Sequence, residues 1–472
     1  MKTQNRVSAH LQCLSVLMVL AILLAACAAP APTAAPAATT APPAATAAPA
    51  TQAPAPTKAP EPTAAPAAAS TNLTFWVLAT GEGRLASFKQ ALDFCTKKNP
   101  GISVEPTYYN YDDYSKAMPS ALAADNPPDF SFADPTAPNM PNYVAAGQIL
   151  PIADLIKQYG WDKKVQPGVI TFYDPLYGDQ SYGVPLISAE RGIFYNKDLL
   201  KQLGGAVPKT MDEFEALLAK AKAAGYVPLA MGDSDKYGAD LYWEYLLFNY
   251  LANGDWKGFI SGTMKQQAGV PWGGDAMLQA MTKFIDWKDK GYFNSDFASL
   301  GSGDLHTAFS QGKVLFYSHD TSLNAALMKD EPKFDVGFMN WPRIYPDKPL
   351  LTLSDPGNLL VIPKGSKHPK EAAQIIDCLL TPEVGTMFAA NGDIPLQQGI
   401  DLATVKVPAS FIKDQLAVVG DQTPVGWQNY MAPPDFPDKQ GSELQKLLAG
   451  EVKVADYVTN LQKLYDDAIK NK

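Results

Sequence analysis

Residues 73–106 read LTFWVLATGEGRLASFKQALDFCTKKNPGISVEP, and the change of period inside this stretch decides the fold class. Leu73, Phe75 and Val77 alternate as in a strand with one buried face, and Leu85, Phe88, Leu92 and Cys95 then recur at helical spacing. Asn99-Pro100-Gly101 stops that helix ahead of Ile102-Ser103-Val104. A second unit follows, with a helix expected from about Tyr114 to Ala123, a short strand from Phe130 to Ala133 and a helix near 137–146. Alternation of this kind predicts an α/β fold with a parallel sheet covered by helices, and ligands in such sheets sit at the carboxyl ends of the strands. The loops 79–84, 109–113 and 134–139 are therefore the ones to watch. Thr80 and Glu82 follow the first strand and Asp134 the third, which aims them at a ligand; the alternative for each is an ordinary surface-loop residue.

Further along, Thr210 and Glu213 make a capping box, and Met211, Phe214, Leu217, Leu218 and Ala221 form one apolar face that ends at Gly225. Helices are also expected over 240–251, 275–290, 369–380 and 453–469, with Pro369 and Pro382 at first-turn positions. Gly301-Ser302-Gly303-Asp304 reads as a turn and not as a phosphate-cradling loop. A formal net charge of -9 and a pI near 5.1 argue against nucleic acid or an anionic lipid surface as the main partner.

The N-terminus is read separately. Lys2 and Arg6 precede the apolar run Leu14 to Leu24, which is too short to span a bilayer and has the length of a signal-peptide core. Leu24-Ala25-Ala26-Cys27 resembles the bacterial lipobox, so 1–26 is expected to be a lipoprotein signal peptide and Cys27 the acylated residue, on the outer face of the cytoplasmic membrane. Residues 27–71 are almost entirely Ala, Pro and Thr, the composition of an extended tether reaching up to roughly 3 Å per residue. About 400 residues remain, enough for two domains. Of the four cysteines, Cys95 and Cys378 belong to this body. Both sit on apolar helical faces, so an exported chain either joins them in a disulfide or buries them as free thiols.

The order of "LTFWVL", "KKNPGISVEP", "YDDY", "NPPDFSFAD", "YVAAGQILPI", "YGVP", "GIFYNKDLL", "PKTMDEFEALL", "AFSQGKVLFYS" and "VIPKGSKHPKEAAQIIDCLLTPE" resembles the extracellular solute-binding proteins of bacterial sugar ABC importers, maltose-binding protein among them, over nearly the whole body. The resemblance implies a two-lobed, type II periplasmic-binding-protein-like fold. Each lobe would be a mostly parallel sheet flanked by helices, with a hinge of crossing segments. Lobe 1 would comprise 72–187 and 359–408, and lobe 2 would comprise 188–354 and 411–472. It implies a carbohydrate or polyol ligand, a permease with its ATPase as partner, action as a monomer, and no enzymatic activity, cofactor or nucleic acid. The competing classes are an exported glycoside-acting hydrolase and a glycan-binding adhesin. A hydrolase needs a marked carboxylate pair. No metal is expected, since His306, His319 and His368 lie in no ligand-spaced motif.

A sugar receptor needs flat apolar faces for the pyranose ring and polar groups for its hydroxyls. By the resemblance, Trp243 and Trp427 are candidate stacking rings and Trp341 a weaker one, although a large aromatic is more often core. Trp161, Trp256 and Trp287 are read as structural. Glu190 and Arg191 sit at the first hinge crossing, as ligand groups or as an ordinary ion pair. His319 and Asp320 occupy the expected turn after the strand from Val314 to Tyr317, where relatives often carry a small residue and Trp. Asp355 and Asn358 flank Gly357 at the second crossing, where they can hold hydroxyls.

Overall fold

The computed structural model describes residues 70–79, 82–136, 139–234, 236, 238–400, 405–407 and 409–470. Cys27, Thr80, the signal segment and all but the end of the tether lie outside the described residues. In chain order the strands are β1 (Thr71–Leu78), β2 (Ile102–Tyr109), β3 (Phe130–Ala133), β4 (Val184–Pro185), β5 (Ile187–Ser188), β6 (Arg191–Asn196) and β7 (Val227–Ala230). They continue with β8 (Val314–Asp320), β9 (Val336–Met339), β10 (Leu351–Thr352), β11 (Leu359–Val361), β12 (Ile394–Pro395) and β13 (Thr423–Pro424).

The opening motif folds as its period dictates. β1 pairs parallel with β2 and β3, and the first sheet has the order β2-β1-β3-β11-β4. Leu73, Phe75 and Val77 all point inward, fully buried. Phe88, on the helix Glu82–Lys98, sets its ring edge-on against Phe75, Phe132 and Phe388 at centroid distances of 5.8, 5.1 and 5.2 Å. The same helix presents Cys95 to the helix Pro369–Leu379, where a disulfide to Cys378 resolves the choice left open by sequence.

The second sheet has the order β7-β8-β6-β9. Here β6 runs antiparallel to both β8 and β9, and β11 likewise runs antiparallel to β3 and β4. The sheets are thus mixed where mostly parallel ones were expected. The physical reason is connectivity: β6 and β11 enter their sheets from segments 186–190 and 353–358 and so start at the end where β8 and β3 finish, which makes them run against those neighbours. Helix Met211–Ala223 starts at the expected capping box and packs Phe214 against Phe316, Trp341 and Trp287. Helix Asp240–Leu251 is buried on every side, as an apolar all-round helix must be. Gly301 does not mark a free turn; it opens the helix Ser302–Ser310, and its N–H donates to the Asp304 carboxylate at 3.2 Å.

Two segments carry the chain between the sheets, 186–190 from β4 to β6 and 353–358 toward β11. They meet through paired bonds, with Ala189 N donating to Asp355 O at 3.0 Å and Asp355 N to Ala189 O at 3.3 Å. Gly357 has φ +69°, and a side chain there would stand 2.5 Å from Ile187 O, so this close approach requires glycine. Among the described residues no helix is long and apolar enough to cross a membrane.

Candidate functional site

A cavity of about 410 Å³ opens where the crossing segments meet the ends of β3 and β8. Its wall is made by Asp134, Pro135, Thr136, Tyr173, Ala189, Arg191, Asp320, Asp355, Gly357, Asn358, Trp427 and Tyr430. Elements of both sheets contribute. The volume lies in the range of small-molecule sites, roughly 300–1,000 Å³.

Arg191 is its centre. The guanidinium Nη1 donates to Asp355 Oδ2 at 2.7 Å and to Leu353 O at 2.9 Å, and its carbon lies 4.9 Å from the centre of the Trp427 ring. Its backbone is also held: Arg191 N donates to Ser354 Oγ at 3.0 Å, and the Tyr245 hydroxyl donates to Arg191 O. Asp134 Oδ1 accepts from both the backbone N–H and the hydroxyl of Thr136 at 2.7 Å. Burial pushes the Asp134 carboxyl up against those two bonds. Burial acts the same way on Asp320, but His319, Arg191 and the Ser322 side chain outweigh it and hold that carboxyl well below the usual range. Asn358 donates its amide to Leu78 O at 3.3 Å, tying the second crossing to the end of β1.

Six of the candidates read from sequence therefore line one cavity: Asp134, Arg191, Asp320, Asp355, Asn358 and Trp427. Thr80 lies outside the described residues, and the other candidates do not line this cavity. Glu190 and Arg191 are adjacent on an extended segment, so their side chains leave it on opposite faces. Ser188 and Glu190 face a second, largely apolar cavity of about 490 Å³, while Ala189 and Arg191 face the first. The larger cavity holds fewer converging polar groups than the smaller. Burial raises the Glu190 carboxyl despite hydrogen bonds from Ser188 and Gln422.

His319 does not lie in a turn. β8 continues through Asp320, which buries His319 beside His306 at a ring distance of 5.1 Å and leaves Asp320 at the cavity. Burial, then the neighbouring His319, pushes His306 down to about 4. Glu82 is exposed in the first turn of its helix, where a carboxylate favours the positive end of the helix dipole. Trp341 is 2% exposed, stacked on Tyr245 at 5.0 Å, and is core.

Trp243 is fully buried, and its ring offers no face to the cavity. It has a different task. Trp243 Nε1 donates to Asp240 Oδ1 at 2.7 Å, while Asp240 Oδ2 accepts from Asn429 Nδ2 at 2.7 Å and Glu244 Oε1 accepts from Asn429 N at 2.9 Å. Asn429 belongs to the short helix Gln428–Met431 that follows Trp427 and carries Tyr430. A buried acid pair one helical turn apart thus fixes the segment that supplies the cavity with two rings. Burial, against the Trp243 bond and with the charge of Asp233, pushes Asp240 up to about 8, and burial next to Asp240 raises Glu244 well above its ordinary range. Sequence reading missed Tyr173 and Tyr430. Tyr430 stands three residues past Trp427 across a helical turn, a spacing that could have found it.

The family model for bacterial extracellular solute-binding proteins matches residues 78–386. A probable sugar-binding periplasmic protein of Mesorhizobium japonicum is 26% identical over 69% of this chain and 77% of its own length. The melibiose/raffinose/stachyose-binding protein of Bacillus subtilis is 25% identical over 80% of this chain and 90% of its own. Among solved structures, the solute-binding protein RafE in complex with raffinose superposes with a TM-score of 0.66 at 20% identity, covering 84% of this chain and all of that one, a likeness of fold.

Proposed function

The chain belongs to the bacterial extracellular solute-binding proteins, and we propose that it is the receptor subunit of an ABC importer that captures a carbohydrate in the Arg191 cavity. One observation carries this reading. Carboxylates from three separate elements, Asp134, Asp320 and Asp355, converge with Asn358 on a space walled by Trp427 and Tyr430, which is hydroxyl chemistry beside an apolar ring face. The sugar-named relatives point the same way.

In this proposal 72–187 with 359–408 and 188–354 with 411–472 form two lobes that turn about the paired crossing segments. Ligand touching both lobes favours their closed arrangement. The closed receptor, a monomer, then docks on a permease whose ATPase supplies the energy. Cys27 carries the lipid, and the Ala/Pro/Thr tract is the leash. Thermal shift of the full chain against a panel of neutral mono- and oligosaccharides tests the ligand class, because a ligand at a hundredfold excess over Kd stabilises the native state by about 2.7 kcal/mol. A panel with no shift refutes the carbohydrate reading.

A further inference from the structure

We propose that this cavity selects neutral saccharides and rejects their anionic counterparts, uronates and sugar phosphates; the proposal rests on the carbohydrate reading above. The support is a count of what the wall can offer a ligand. Among the described lining residues Arg191 is the one cation, against the carboxylates of Asp134, Asp320 and Asp355.

The Arg191 charge is already paired with the Asp355 carboxylate at 2.7 Å. Anion receptors present arginine as a planar fork to two oxygens. Here one arm bonds Asp355 and Leu353 O, and the guanidinium carbon stands over the Trp427 ring, 4.9 Å from its centre. Of the other side chains on the wall, Asn358 donates to Leu78 O and the Thr136 hydroxyl to Asp134, and the hydroxyls of Tyr173 and Tyr430 bring no positive charge. The charge left on the wall is negative. Carboxylates accept only, so they reward a ligand that brings O–H donors and penalise one that brings further oxyanions. Ala137 and Pro138, which follow Thr136 in sequence, have no ionisable side chain. Behind Asp320 stand His319 and, against it, His306.

The test is calorimetric titration of the full chain at pH 8 and low salt with matched pairs: galactose and galacturonate, glucose with glucuronate and glucose 6-phosphate, and any neutral hit of the thermal panel with its uronate. Each neutral member is expected to bind at least about tenfold more tightly than its anionic partner. Raising salt to about 0.5 M should narrow the gap by screening, and Asp320→Asn should narrow it by removing one of the repelling charges. An anion that binds as tightly as its neutral partner, or a gap that neither salt nor Asp320→Asn changes, overturns the proposal. Should Asp320→Asn not fold, the salt series decides alone. The two claims fail differently: silence from both members of every pair removes the carbohydrate reading together with this one, whereas a tightly bound uronate removes only the selectivity.

Discussion

Arg191 and Asp355 make the ion pair on which both the crossing segments and the cavity depend, and a double-mutant cycle measures it. Their side chains are 11% and 8% exposed and meet at 2.7 Å. Arg191→Met keeps most of the aliphatic cover but leaves the Asp355 carboxylate buried without its cation, held by neutral donors such as the Gly357 N–H at 2.7 Å. Breaking a buried pair from one side costs about 3–5 kcal/mol, since the surviving charge is uncompensated. Loss of the contact with Trp427 adds roughly 0.5–2 kcal/mol. Asp355→Asn strands the guanidinium but leaves it the carbonyl of Leu353, so its cost should fall at the lower end of that range. The double variant buries no stranded charge. It should cost less than the sum of the single changes by about 1–3 kcal/mol, the coupling expected for residues in contact. Urea unfolding of the four full-length chains reads this directly. Additivity within about 0.5 kcal/mol would refute the claim that this pair holds the crossing segments together.

The two tryptophans should part company. Trp427→Ala is expected to weaken saccharide binding about tenfold or more with the fold intact, while Trp243→Ala, a fully buried ring, should cost about 3–5 kcal/mol of stability; equal effects in both assays contradict their separate roles. Reducing the Cys95–Cys378 bridge, or Cys95→Ser with Cys378→Ser, should lower stability by about 2–4 kcal/mol without changing affinity, as read by denaturation with and without reductant. For Asp240 the native carboxyl, pushed up to about 8, holds a proton that the unfolded chain has lost. Its contribution to stability is thus full below about pH 4 and is lost as pH rises toward 8. Urea midpoints at pH 5 and pH 8 should differ less in Asp240→Asn than in the wild type, and an equal difference would contradict this titration.

Local periodicity made the first sheet legible. The strand-helix-strand reading of 73–104, the capping box at Thr210 and the placement of Asp134 after β3 all follow from interactions within a few residues. What local pattern cannot carry is which side of a buried element faces the ligand. Trp243 stands on a helix with apolar residues all round, and such a helix has no ligand side to read. Trp341 was uncertain for the same reason, being one ring in an aromatic stack drawn from three segments. Glu190 is a different case. Strand alternation already separates it from Arg191, and treating the two as a pair overlooked a period that was present. The Cys95–Cys378 bridge joins residues 283 apart in sequence, and no local signal distinguishes it from two buried thiols. The anchoring of Asn429 by Asp240 and Glu244 was equally invisible, because two carboxylates one turn apart on a helix ordinarily read as a solvated face.

Capture by closure is tested most directly by small-angle X-ray scattering of the full chain, alone and saturated with the neutral saccharide that most raises its melting temperature. The radius of gyration should fall on binding, and the saccharide should be recovered chemically unchanged. A scattering profile that no saccharide alters, or recovery of cleaved sugar, would contradict a receptor that works by closing over its ligand.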